Sequence, residues 1–162
     1  GAAQAVAQID KHVRTLPDGK AQQSIVANGL EFDAMGVLHV ADTARGAIWK
    51  VVIGADGQGG QPVVLAQSPL LEGADGMAFD ASGNLWVAVN ELNAVVSVSP
   101  AGVVKTIAKN AAQGPLEFPS AVVFVGKRAY VSNFDTPRRD NIDANGQTAK
   151  EGVGASVAQI VQ

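Results

Sequence analysis

The feature that most limits the fold of this chain is an internal repeat. A shift of 47 residues superposes the segment from Asn28 on the segment from Asp75. The positions that then carry identical residues include Gly29 and Gly76, Phe32 and Phe79, Asp33 and Asp80, Gly36 and Gly83, Leu38 and Leu85, Val40 and Val87. A third copy begins at Ser120 and places Phe124 at a distance of 45 residues from Phe79. Three copies predict a fold that is built from repeated units.

Each copy has the pattern of several short β-strands. The stretches DAMG and DASG (33–36 and 80–83) are typical of tight turns, because Asp opens such turns and Gly tolerates a positive φ. Alternating residues follow, with Leu38 and Val40 on one face of a strand and His39 and Ala41 on the other. Four strands in 45 to 47 residues match one blade of a β-propeller, whose repeats span about 40–50 residues. We therefore predict an all-β propeller of four-stranded blades.

The repeat also predicts how the chain is divided. We expect residues 1–27 to supply the outer strands of one blade, 28–68 and 75–110 to be blades, and 119–162 to be a last blade without its outermost strand. Strands are predicted at 5–9 and 20–26. This adds up to about half of a six-bladed ring with two open flanks, where exposed edges are prone to association. We therefore expect a second half-propeller as partner: a copy of this chain, as the similar stretches AVAQI (5–9) and SVAQI (156–160) suggest, or a separate N-terminal half.

Composition excludes several classes of function. Twelve Lys and Arg against fifteen Asp and Glu give a net charge of −3, so no nucleic-acid partner is expected. No apolar run is long enough for a membrane span, so no membrane partner is expected. The chain has no Cys, which excludes disulfides and thiolate metal sites and is compatible with an extracytoplasmic setting, although the compartment stays undetermined. No G-x-S-x-G motif supports a serine hydrolase.

Two segments resemble a known family. NGLEFDAMGVLHVADTARGAIWKV (28–51) and DGMAFDASGNLWVA (75–88) are similar to the fourth and fifth blades of the senescence marker protein, gluconolactonase and regucalcin family, and PSAVVFVGKRAYVSNFD (119–135) is similar to its last blade. The resemblance implies a six-bladed propeller with one divalent metal at its axis (Ca, Mg, Mn or Zn, with Ca favoured). It also implies hydrolysis of a sugar lactone or a similar small ester, and activity only in a completed ring.

The resemblance implies Asn28 and Asp75 as metal ligands. The family's third ligand, a Glu of the first blade, and its substrate-gripping residues have no counterpart here. Asn28 and Asp75 also occupy the same place in successive repeats, at the start of the innermost strand, and their oxygens suit a hard cation. The implied mechanism has the metal polarise the lactone carbonyl while Asp75, as catalytic residue, orients or deprotonates water. The alternative is that both are turn residues before Gly.

Other polar residues are candidates for weaker roles. Ser120 holds the equivalent position of the third copy and is expected to contact water or substrate. Arg138, beside Arg139, is expected to hold an anionic substrate, or else to form surface ion pairs. Glu72 and Glu117 would line the channel mouth or be solvated.

Two further sequence features have an alternative structural explanation. The stretch N141-x-D143-x-N145-G146 resembles half of a calcium loop, or is simply a polar loop between strands. His39 aligns with Trp86 and Tyr130 and is expected to pack between blades. The chain as a whole leaves two functions open: a metal-dependent lactonase, and a non-catalytic half-propeller that self-assembles into a pseudo-six-bladed dimer or serves as a binding module.

Overall fold

The structure is a computed structural model that describes residues 2–17, 19, 22–110, 114–150 and 152–161. Its strands form antiparallel sheets that follow one another along the chain. The first blade contains β3 (Ala27–Phe32), β4 (Val37–Asp42), β5 (Ala47–Val52) and β6 (Val63–Gln67). The second blade contains β7 (Ala74–Phe79), β8 (Leu85–Val89), β9 (Ala94–Val98) and β10 (Val104–Lys109), and the third contains β11 (Pro119–Val125), β12 (Arg128–Asn133) and β13 (Ser156–Val161). The predicted all-β propeller fold is confirmed.

The turn between the first two strands of each full blade is held by its aspartate. Asp33 Oδ1 accepts hydrogen bonds of 2.9 Å from the backbone N–H groups of Met35 and Val37. Asp80 repeats this arrangement and also accepts a bond of 3.1 Å from the indole of Trp86. Gly36 and Gly83 close the turns at φ of 79° and 80°. The prediction that both aspartates are structural turn residues is confirmed.

Neighbouring blades pack through a repeated pair of aromatic rings. His39 on β4 meets Phe79 on β7 edge to face, with ring centroids 5.0 Å apart. One blade further, Trp86 on β8 meets Phe124 on β11 in the same way at 5.2 Å. Such edge-to-face pairs add to the stability that apolar burial provides. The prediction that His39 packs between blades is confirmed by its contact with Phe79.

The innermost strands of the three blades lie against one another with no room for side chains at two positions. A Cβ atom on Gly29 would lie 2.7 Å from the carbonyl carbon of Asp75 and nearer still to its oxygen. A Cβ atom on Gly76 would lie 2.5 Å from the carbonyl oxygen of Ser120. Only glycine permits this approach, so the repeated Gly brings β3, β7 and β11 together at one end.

The N-terminal segment differs from its prediction. Residues 5–9 form no strand; instead, the carbonyl of Val6 accepts a 2.9 Å hydrogen bond from the N–H of Gly59, in the loop between β5 and β6, and Ile9 packs against the first blade. The pairing in this region joins β1 (Arg14–Thr15) to β2 (Gln22–Gln23). Of the predicted strand 20–26, residues 20 and 21 lie outside the described residues. The prediction of a strand at 5–9 is therefore wrong.

The helical segments in the described part of the chain are short 3₁₀ turns. They comprise Pro69–Leu71, Asn90–Leu92 and Arg139–Asn141. None of the helices found among the described residues is both long and apolar enough to cross a membrane.

Candidate metal and substrate site

Asn28 and Asp75 lie at the end of the propeller where the innermost strands converge. Each is the second residue of its strand, Asn28 in β3 and Asp75 in β7, and each is half-buried. Both precede the glycine that lets the strands touch, so the backbone approach brings their side chains together. The turn interpretation of the Asn-Gly and Asp-Gly dipeptides is therefore wrong, because both dipeptides lie within strands.

The carboxyl group of Asp75 is surrounded by amides. Asn90 Nδ2 donates a 3.2 Å hydrogen bond to Asp75 Oδ2. Burial raises the pKa of Asp75 above its ordinary value, and hydrogen bonds from Asn90, the Gly76 backbone and the Asn28 side chain oppose that rise. The Asn28 amide is thus a direct neighbour of the Asp75 carboxyl.

Asn28 is held by the first blade's own Thr43. Its Nδ2 donates a 3.1 Å hydrogen bond to Thr43 Oγ1. The Thr43 hydroxyl in turn donates a 2.6 Å hydrogen bond to the carbonyl oxygen of Ala74, the residue before Asp75. Thr43 is fully buried. Its two hydrogen bonds link the first blade to the innermost strand of the second.

Ser120 takes the equivalent position on the third blade. It is the second residue of β11, its carbonyl oxygen faces Gly76, and it is partly exposed. Its hydroxyl lies 2.9 Å from the hydroxyl of Ser132 and 3.4 Å from the Ser132 carbonyl oxygen. A second hydroxyl therefore accompanies Ser120 at the same end of the propeller.

The donor set fits a hard divalent cation. Asn28 and Asp75 offer an amide oxygen and a carboxylate, which are ligands that Ca²⁺, Mg²⁺ and Mn²⁺ prefer. Asp75 carries a half-buried charge, and within the described ranges no Lys or Arg forms an ion pair with it. The part of the chain that the structure describes holds no group of three or more His, Cys, Asp or Glu placed to bind a metal. The described residues therefore supply an incomplete ligand set.

Arg138 lies in a cluster of charged side chains at the same end of the propeller. The centre of this arginine–glutamate cluster is Glu91, which is fully buried and lies one residue beyond Asn90. Glu91 accepts hydrogen bonds from Arg14 at 2.7 Å and from Gln23 at 2.8 Å, and it forms an ion pair with Arg138 at 3.3 Å. Sequence reasoning missed Arg14 and Glu91; the one available signal is that Glu91 replaces the buried Ala44 of the preceding repeat.

The remaining members of the arginine–glutamate cluster join two segments that are distant in sequence. Glu72 accepts hydrogen bonds from Arg14 at 2.6 Å and from Arg139 at 3.4 Å. Arg138 and Arg139 are therefore both engaged by carboxylates, and Glu72 is paired rather than solvated.

Glu117 binds the backbone of the third blade and does not line the channel. It is buried and accepts hydrogen bonds from the backbone N–H groups of Val153 at 3.0 Å and Gly154 at 2.5 Å. This carboxylate fixes the loop that leads into β13. The expectation that Glu117 is solvated or lines the channel mouth is wrong for that reason.

The calcium-like stretch 141–146 is a polar loop between β12 and β13 that uses its oxygens internally. The buried Asn141 accepts a 3.1 Å hydrogen bond from Asn93, and Asp143 accepts one of 3.1 Å from the N–H of Gly146 and another from Thr148. Asn145 accepts a 2.8 Å bond from the N–H of Gln147. These bonds account for the polar residues of the loop without a bound ion.

Fold and site together define a segment of a β-propeller that places an amide and a carboxylate beside its axis. Residues 4–133 match the protein family described as the SMP-30/Gluconolactonase/LRE-like region. The chain belongs to this family. No curated protein sequence matches the chain.

Solved structures of similar proteins share this fold. A luciferin-regenerating enzyme is 18% identical to this chain with a TM-score of 0.63. The match covers 94% of this chain and 51% of the enzyme. A calcium-binding protein, regucalcin, from Agrobacterium tumefaciens str. C58 is 20% identical with a TM-score of 0.54, covering 90% of this chain and 54% of its own. A gluconolactonase from Xanthomonas campestris is 23% identical with a TM-score of 0.52. The match covers 75% of this chain and 40% of the gluconolactonase. The chain thus spans about half the length of these proteins.

Proposed function

We propose that this chain supplies metal-binding residues to a divalent-metal-dependent hydrolase of the gluconolactonase type. Its substrate class would be a sugar lactone or a similar small ester, and it would be active in a completed ring. The observation that carries the proposal is the meeting of Asn28 and Asp75 at the converging ends of β3 and β7. Family membership supports the same reaction class.

A divalent cation, with Ca²⁺ favoured, would be held by Asn28 and Asp75, and when bound it would supply Lewis-acid polarisation of an ester carbonyl. The regucalcin relative is a calcium-binding protein, which favours this metal. Water or a residue of another part of the ring would complete the ligand set, because the described residues supply two side chains.

The chain's own residues divide the remaining work. Asp75 would orient the attacking water and accept its proton through the carboxylate lone pairs that Asn90, Asn28 and the Gly76 backbone leave unoccupied. Ser120 would donate a hydrogen bond to a substrate hydroxyl or to water, with Ser132 as its neighbour. Arg138 would reach an anionic substrate only by giving up its ion pair with Glu91, so we propose Ser120 as the first substrate contact.

The test is hydrolysis of five- and six-membered sugar lactones by the assembled protein, before and after removal of divalent metal with a chelator. We expect activity that is lost with the metal, restored by adding Ca²⁺, Mg²⁺ or Mn²⁺, and abolished by Asp75→Ala. The control is Asp56→Ala, which changes an exposed turn aspartate that accepts a hydrogen bond from the N–H of Gln58. Hydrolysis that resists both the chelator and Asp75→Ala would overturn the proposal.

The open flanks favour a second candidate, a non-catalytic half-propeller that assembles with a copy of itself or binds another half. Phe79 and Phe124 each receive a ring from the preceding blade. Phe32 holds the same position in the first blade and is 53% exposed. Tyr130 holds the ring-donating position on the third blade, where it is only partly buried. Docking of another blade on each flank would repeat the pairing seen inside the chain.

The solution mass separates these possibilities. Light scattering that gives twice the mass of the chain, and a return to monomer on Phe32→Ser, would support self-assembly through the flanks. A monodisperse wild-type monomer would exclude closure by self-association. A second polypeptide in the purified material, detected by mass spectrometry, would instead point to a separate half.

A further inference from the structure

We infer that Thr43 and Asn90 are positioning residues that fix which side-chain atoms of Asn28 and Asp75 face the propeller axis. The two residues hold equivalent places in the repeat, one following β4 and the other following β8, 47 positions apart. Each binds the second residue of the innermost strand in its own blade. The significance for metal binding rests on the proposed function, whereas the orientation itself rests on hydrogen bonding alone.

The hydroxyl of Thr43 determines the orientation of the Asn28 amide. A threonine hydroxyl has one hydrogen, and Thr43 donates it to the carbonyl oxygen of Ala74, which can only accept. Toward Asn28, Thr43 Oγ1 can therefore act only as an acceptor. The two ends of an Asn amide have nearly the same shape, so this chemical difference decides their placement. Asn28 must present Nδ2 to Thr43, which leaves Oδ1 for the axis.

Asn90 performs the corresponding task for Asp75. Its side chain is buried, and Nδ2 donates to Asp75 Oδ2 at 3.2 Å. A carboxylate accepts only, so the reversed amide would set two oxygens against each other. Among the described residues the buried Asn90 Oδ1 has no hydrogen-bond partner. The amide therefore holds Asp75 while one of its own acceptors stays unsatisfied. Asn90 thereby fixes the orientation of Oδ2, and the carboxylate lone pairs that the hydrogen bonds to Asp75 leave unoccupied remain for the axis.

The two residues also link the positions of the ligands. Thr43 Oγ1 binds Asn28 of β3 and the carbonyl of Ala74 in β7 at once, so a single buried hydroxyl sets the spacing of the two strands at the site. Partners that orient metal ligands in this way typically affect metal affinity by about 10–100-fold when they are removed.

The test compares Thr43→Val, which keeps the shape and removes the hydroxyl, with Thr43→Ser, which restores it. Thr148→Val is the matched control, because it removes a threonine hydroxyl that binds Asp143 in the loop between β12 and β13. The first readout is NMR of the metal-free protein. We expect a nuclear Overhauser effect between the Asn28 Nδ2 hydrogens and the Thr43 methyl group, and slow exchange of the bonded hydrogen in wild type and Thr43→Ser but fast exchange in Thr43→Val. The second readout is Mn²⁺ affinity, for which we expect about 10-fold weaker binding in Thr43→Val and wild-type affinity in the other two variants.

The outcomes separate the inference from the proposed function. Absence of the Asn28–Thr43 contact in the wild-type spectrum overturns the inference, and this result is available even if Thr43→Val does not fold. Unchanged Mn²⁺ affinity in a folded Thr43→Val protein with a released amide also overturns it. Presence of the contact together with no Mn²⁺ binding by wild type defeats the proposed function and leaves the assigned orientation in place.

Discussion

Gly29 and Asp75 touch through their backbones, and this contact places the Asn28 side chain beside the Asp75 carboxyl. A Cβ atom on Gly29 would lie 2.7 Å from the Asp75 carbonyl carbon, which is closer than non-bonded carbon atoms approach. The glycine that follows each candidate ligand is thus part of the site, because it sets the distance between the strands that carry the ligands.

The first prediction concerns that contact. We expect Gly29→Ala to destabilise the fold by about 1–3 kcal/mol or more, because the added methyl group must push two backbones apart. Urea unfolding measures the effect. Gly60→Ala is the control, since its Cβ would lie 3.6 Å from the nearest atom, the Val52 carbonyl oxygen, in ordinary contact. Equal stability of the two variants would refute the close approach.

The second prediction concerns pH. Burial of His39 lowers its pKa from 6.5, with the nearby Lys50 acting in the same direction; the Val37 carbonyl, Asp33 and Glu31 oppose the shift. The unfolded chain therefore binds a proton at a higher pH than the folded chain does, and stability falls as pH decreases below about 6.5. His39→Phe should remove this contribution while keeping a ring against Phe79. Thermal unfolding between pH 5 and 7.5 tests it; parallel curves for wild type and variant would contradict the prediction.

The third prediction concerns the arginine–glutamate cluster. Glu91→Gln should cost about 3–5 kcal/mol, because it leaves Arg14, Arg138 and Arg139 without their buried counter-charge. The contrast is the exposed pair between Lys109 and Asp140, where Asp140→Asn should cost about 0–1 kcal/mol. Denaturant unfolding compares them, and a similar small loss in both variants would show that the buried cluster does not stabilise the fold.

The sequence predicted the parts of the fold that repeat. Three features recur at one spacing: the ring position of His39 and Trp86, the turn aspartates, and the glycines. Each of them forms a turn or a contact with the neighbouring blade. Thr43 and Asn90 recur at the same spacing, but a shared place without a shared residue type gave no chemical signal. Their role became visible only when their hydrogen-bond partners were known.

Features outside the repeat could not be predicted in the same way. AVAQI at 5–9 resembles SVAQI at 156–160, yet only the second stretch forms a strand, because β12 lies beside it and pairs with it. Strand formation depends on such neighbours more than on residue type. The burial of Glu91 also depends on a distant neighbour, because its partner Arg14 is 77 residues away. No local sequence pattern predicts this pairing.

We propose that Asn28 and Asp75 together bind a divalent cation beside the propeller axis. The most direct measurement is calorimetric titration of the assembled, metal-free protein with Ca²⁺ and Mn²⁺, for wild type, Asn28→Ala, Asp75→Ala and the control Asp56→Ala. We expect saturable binding that either site substitution weakens by at least about 10-fold and that the control leaves unchanged. Wild-type affinity in the folded Asp75→Ala protein, or no binding by wild type, would contradict it.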